Sequence, residues 1–145
     1  MVNMYLETAT RGIRRGTGWY AYVLECFDSR GNVHTVQEFR KEENVTPNQL
    51  ILLAFCAALN RMRKQSEIMV YTDKLYLRGS HTSYLRMWQQ NGWKTARGET
   101  VANVELWKRV AELTRWHQIC FAKNYQHSYK NWMTAELQKR SSRTA

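Results

Sequence analysis

A chain of 145 residues is the size of one domain and encloses a hydrophobic core without help from cross-links. Its 22 Lys and Arg against 12 Asp and Glu leave a formal net charge of +10, a balance that favours a polyanionic partner, either nucleic acid or an acidic surface. Three cysteines, Cys26, Cys56 and Cys120, lie far apart in apolar stretches; their odd number and lack of metal-type spacing argue against a disulfide scaffold or a zinc site, and for buried thiols in a reducing, cytoplasmic setting. No apolar run reaches the ~20 residues that a bilayer requires, and the start of the chain lacks a charged leader followed by an apolar block, so neither a membrane span nor secretion is expected.

In chain order, Val2–Leu6 is a short apolar segment, and after a Gly- and Arg-rich turn Gly16–Phe27 is rich in the aromatics that favour strands. A turn at Asp28–Asn32 leads into Val33–Phe39, which alternates apolar and polar residues, so the three pieces predict a β-meander. The polar run Lys41–Asn44 predicts a break. Thr46 is then a natural N-cap and Pro47 suits the first helical position. Leu50, Leu53, Ala54 and Ala57 form one stripe and Ile51, Phe55, Ala58 and Met62 another beside it, so this helix is apolar on most of its circumference and belongs at the centre of the fold.

Glu67–Asp73 reads as a continuous apolar strand, which after a helix implies a parallel β-α-β crossover. Leu75–Trp93 is helical in part, with a break expected at Gly79; Lys94–Glu99 is a loop, and Val101–Trp116 is an amphipathic helix. Gln118–Tyr125 reads as the last strand and Asn131–Arg140 as the last helix. The expectation is a single α/β domain over residues 1–140, a five-stranded mixed sheet flanked by helices, and a flexible basic tail at 141–145.

The segment Asn91–Val110 (NGWKTARGETVANVELWKRV), taken with Tyr71–Gly79 (YTDKLYLRG), resembles bacterial-type ribonuclease H, in which a TDS-type strand end, a GWKT segment and an NxxLW helix follow in this order. The likeness extends over nearly the whole chain, from a first hairpin with a strand-borne acid to a last strand, loop and closing helix. It implies the ribonuclease H-like fold, three antiparallel strands followed by two parallel ones. It also implies cleavage of the RNA strand of an RNA–DNA hybrid by two Mg²⁺ ions on four carboxylates. Such a set is needed because Mg²⁺ demands near-octahedral oxygen ligation and the two ions must steady both the attacking and the leaving oxygen.

Carried onto this sequence, the strand-end acid is Asp73, and the first-strand acid is Glu7, one methylene longer than the family's aspartate. The central-helix acid position falls on Ile51 and the closing-helix position on Ala135, with Asn131 and Glu136 in register around it. Lys74 follows Asp73, where its ammonium can take the place of a cation and pair with Asp73 or Glu7. The loop histidine position holds Tyr125, with His127 two residues on. Asp73 and Glu7 are therefore expected as remnants that bind Mg²⁺ weakly or not at all.

Binding residues implied by the likeness are Thr46 and Asn48 for a DNA phosphate and the minor groove, Tyr84, Trp88, Trp93 and Trp107 for the groove wall, and Asn103 in the NxxLW motif. Ile13 and Leu75 stand where polar contacts belong, and Lys94 and Arg97 are the cations of a loop that is more basic in active enzymes. Arg11, Arg14 and Arg15 lie in the first hairpin turn, beside the expected groove, and suit phosphate contacts. Set against these, Asp73 reads as a turn acid paired with Lys74, at least two of the tryptophans read as core, and His34, His81, His117 and His127 share no spacing and read as structural. The favoured function is a catalytically impaired module that binds an RNA–DNA hybrid or other A-like duplex such as duplex RNA. An active divergent Mg²⁺ nuclease using Glu7, Asp73 and Glu136, and a protein-interaction module on the same fold, are the alternatives.

Overall fold

The computed structural model describes residues 1–143. Strands β1 (Val2–Thr10), β2 (Gly16–Phe27) and β3 (Val33–Val45) lead into helix α1 (Pro47–Leu59) and strand β4 (Glu67–Tyr71). Helices α2 (Leu75–Ser83), α3 (Leu85–Gln90) and α4 (Val104–Thr114) follow, then strand β5 (Gln118–Phe121) and helix α5 (Lys130–Arg143). The five strands form one sheet in the order β3-β2-β1-β4-β5. β1–β2 and β2–β3 pair antiparallel, while β1–β4 and β4–β5 pair parallel, the mixed arrangement that the element order implied.

The predicted α1 start is observed in full. Thr46 accepts a hydrogen bond from the Gln49 amide at 3.1 Å and its own amide donates to the Gln49 side chain at 3.0 Å, a reciprocal capping box ahead of Pro47. The break expected at Lys41–Asn44 does not occur. β3 runs through it because Gly18, Trp19 and Tyr20 of β2 supply ladder partners to Glu42, Lys41 and Arg40, and an edge strand tolerates charge on its exposed face. Asn44, at φ 57°, takes up the register shift where β3 turns toward α1. At Gly18 an added Cβ would lie 2.7 Å from Leu50 Cδ2, so α1 crosses the sheet here close enough that any larger residue would push the Leu50 side chain aside.

Gly79 does not break the chain either: α2 continues across it to Ser83, and the interruption falls at Tyr84 (φ −124°). α4 begins three residues later than expected, after Asn103 in the left-handed region at φ 58°. β5 ends at Phe121, and α5 begins at Lys130 and includes residues 141–143 of the expected tail; residues 144–145 lie outside the described ones. Only Cys56 of the three cysteines is buried, its thiol pushed up to about 11 by desolvation. Cys26 lies past the core at the end of β2 and Cys120 on an outward position of edge strand β5, so both are exposed.

The sheet separates two cores. On one side Met4, Leu6, Tyr20 and Tyr22 meet α1 and the buried Trp107; on the other Tyr5, Ala21 and Val23 meet Met133 and Leu137 of α5. No helix among the described residues is long and apolar enough to cross a membrane.

Candidate nucleic-acid interface and the Glu7–Asp73 site

Strand alternation selects the side on which the acids sit. Met4 and Leu6 enter the α1 core and Tyr5 the α5 core, so Glu7 is next in the phase that faces α5. In β4, Val70 faces α1 and Tyr71 faces α5, and Asp73 lies two residues beyond Tyr71. The parallel register that matches Tyr5 with Tyr71 brings the two acids level at one end of the sheet.

What reaches them is Lys130, at the first turn of α5. Its ammonium lies 3.1 and 3.2 Å from the two carboxylate oxygens of Glu7 and 3.5 Å from Asp73 Oδ2. Burial draws the Lys130 pKa down, but the hydrogen bond and charge of Glu7, with those of Asp73, outweigh it and hold the group above the ordinary lysine value. Glu7 is 7% exposed at its side chain and receives a second donor, His127 Nε2, at 3.1 Å. The Tyr129 amide donates to His127 Nδ1 at 3.2 Å, which leaves Nε2 as the ring nitrogen that faces Glu7. Among the described residues, no group of three or more His, Cys, Asp or Glu is placed to hold a metal ion.

Lys74 pairs with Asp73, at 3.8 Å, as expected, but the ammonium that bridges the two acids is that of Lys130. Ala135 is exposed on another side of α5, lining a surface groove with Gln138, Lys139 and Ser142. Glu136 pairs with Lys139 at 3.5 Å and Arg140 at 3.9 Å. His127, read from sequence as structural, is a partner of Glu7. The signal for Lys130 was available: Met133 and Leu137 define the inward stripe of α5, and Lys130 lies on it at i−3 and i−7. Ile51 is 1% exposed within the α1 core.

A polar network next to Glu25 holds this face together. Glu25 accepts from Asn3 at 3.0 Å, Tyr5 at 3.1 Å and the Tyr129 hydroxyl. Burial raises the Glu25 pKa, and those three donors together lower it below the usual carboxylate range. The Tyr129 hydroxyl, bonded to Glu25, is pushed up to about 12, and burial followed by the Glu25 charge raises Tyr5 further.

The remaining candidates surround the same end of the fold. Arg15 Nη1 donates to the Asn44 carbonyl at 2.7 Å and to Gln49 Oε1 at 3.1 Å. Gln49 donates to Asn103 Oδ1 at 3.3 Å, and Asn103 and Trp107 donate to the Tyr76 hydroxyl at 3.1 and 2.9 Å. This chain joins the hairpin turn, the α1 start, the α4 start and the first turn of α2, which follows Asp73. Thr46 and Asn103 are thus engaged within the fold, and Asn48 is exposed beside them. Arg11 and Arg14 project with Arg15 from the turn, which encloses a cleft of about 430 Å³. Ile13 and Leu75 are 91% and 76% exposed, so both apolar side chains lie on the surface.

Trp107 is fully buried, and Trp88 and Trp93 are half-buried against the same core. Trp88 also carries Tyr84, half-exposed and stacked on it at 5.8 Å and 15°. Lys94 donates to Thr100 at 3.1 Å within its loop, and Arg97 is exposed at the loop tip.

A family model described as RNase H matches residues 1–141. The chain belongs to the ribonuclease H family. A ribonuclease H of Maricaulis maris is 36% identical over 119 residues, covering 81% of this chain and 76% of the relative. One from Wolbachia of Drosophila simulans is 33% identical over 118 residues, with 81% and 77% covered. Among solved structures, LC9-RNase H1, described as a type 1 RNase H with the type 2 active-site motif, superposes with a TM-score of 0.78 at 17% identity, covering 99% of this chain and 73% of that one. The foamy viral protease-reverse transcriptase in complex with RNA/DNA hybrid gives 0.69 at 14% identity, covering 99% of this chain and 20% of that one. These structures share the ribonuclease H fold with this chain.

Proposed function

We propose that this ribonuclease H-fold module binds an RNA–DNA hybrid, or another duplex of A-like shape, through phosphate contacts and does not cleave it by the two-metal route. The observation that carries the reading is the Lys130 ammonium bridging Glu7 and Asp73. Two Mg²⁺ ions need oxygen ligands at ~2.1 Å and about 3.5–4 Å between them. Here both oxygens of the buried acid face an ammonium, and the α1 position contributes the hydrocarbon Ile51. The residues present do not fit that pair of ions. For binding, support comes from the net charge of +10, the exposed Arg11, Arg14 and Asn48, and a fold neighbour solved in complex with RNA/DNA hybrid.

A labelled hybrid tests both halves. The wild type should bind it with a log–log salt slope of about −5 if some six phosphates are contacted, and should leave it uncut in Mg²⁺ or Mn²⁺. Ile51→Glu combined with Lys130→Asp should introduce divalent-dependent cutting, whereas Ile51→Glu combined with Ala135→Asp should not. Wild-type turnover that vanishes in Asp73→Asn would establish the divergent nuclease instead; a flat salt response would favour a protein partner.

A further inference from the structure

Granting the duplex-binding reading, we infer that Lys74 takes a backbone phosphate directly at the Glu7–Asp73 site, with no divalent ion between them. Lys130 directs its ammonium at three carboxylate oxygens within 3.5 Å and lies under the Tyr125 ring at 5.9 Å, so its hydrogens are committed inward. Lys74 differs. Its single acidic neighbour among the described residues, Asp73 Oδ1, is 3.8 Å away, too far for a hydrogen bond, and its side chain is 42% exposed. Its backbone amide is bonded to Thr72 Oγ1 at 3.1 Å, which anchors the lysine where α2 begins.

The charges decide what the site admits. Glu7 and Asp73 carry two negative charges, and Lys130 and Lys74 two positive ones. A site of bare carboxylates repels a phosphodiester until divalent ions enter, because like charges a few ångströms apart at reduced dielectric interact by several kcal/mol. Here Lys130 offsets one of the two negative charges and Lys74 the other, so the site is neutral without a divalent ion. The open side of the site then presents Lys74, a point charge with free N–H donors and the usual chemistry of a phosphate contact.

The test measures binding of a short labelled hybrid in EDTA and in Mg²⁺ at matched ionic strength, alongside thermal unfolding of the free protein with and without Mg²⁺. Wild-type affinity should agree within about twofold between the two buffers, and Mg²⁺ should leave its melting temperature unchanged. Lys74→Gln should weaken binding about five- to tenfold and reduce the salt slope by about 1. Lys130→Gln uncovers both acids, so its binding should weaken in EDTA and recover in Mg²⁺, and Mg²⁺ should raise its melting temperature; Lys130→Arg should behave as wild type. Wild-type binding at least about tenfold tighter in Mg²⁺, or an unchanged salt slope in Lys74→Gln, overturns the inference. If no hybrid binds in either buffer, the proposed function fails. The Mg²⁺ effect on wild-type melting then decides this inference alone, and a clear rise refutes it.

Discussion

Replacing Lys130 by Met keeps the length of the side chain and removes its charge. Lys130 is 16% and Glu7 7% exposed at their side chains, so Glu7 would be left buried and ionised with His127 as its one remaining donor partner. Removing one member of a buried ion pair typically costs ~3–5 kcal/mol. The lower end applies here because Asp73, the other acid, is 34% exposed and stays solvated. About 3 kcal/mol corresponds to a fall of roughly 10 °C in melting temperature for a chain of this size. Urea denaturation at neutral pH of wild type, Lys130→Met, Glu7→Gln and the double variant measures the coupling. The double variant should be more stable than the sum of the single changes implies, by about 1.5–3 kcal/mol. A loss below ~0.5 kcal/mol in Lys130→Met, or strict additivity across the cycle, would refute the argument that an internal ammonium holds the two acids.

Alkaline unfolding should be pronounced: the folded-state pKa values of Tyr5, Tyr129 and Lys130 are all raised, that of Tyr129 to about 12. Raised groups stabilise fully below their unfolded values near 10 and lose that contribution as pH climbs through the folded ones, so the urea midpoint should fall steadily above about pH 10; a level midpoint to pH 11.5 would count against it. Thr46→Ala removes the acceptor of the α1 capping box and should cost ~1 kcal/mol in the same assay. In Gly18→Ala the new methyl meets Leu50, which is fully buried, and the loss should be ~1–3 kcal/mol, partly recovered by Leu50→Val.

Much of this molecule follows from local chemistry. Thr46 and Pro47 start α1 wherever the rest of the chain goes, and the two apolar stripes that follow already bury Ile51. The alternation in β1 puts Glu7 on the face opposite Met4 and Leu6, and the motif around Trp93 and Trp107 indicated the family. Element limits were less legible, because ladder partners in β2 carry β3 through a charged run and α2 accommodates Gly79.

The composition of the site was a tertiary decision. Lys130 and Glu7 are 123 positions apart; the α5 stripe marks Lys130 as inward-facing, but no local pattern reports which strand residue it meets. Aligning α5 by sequence put Ala135 at the acids; packing of Met133 and Leu137 against Tyr5, Ala21 and Val23 rotates it instead to Lys130. Five residues is about 140° around a helix, enough to exchange a solvent-facing methyl for a buried ammonium. That rotation is set by how side chains fill the space between helix and sheet, which becomes defined only when both are in place.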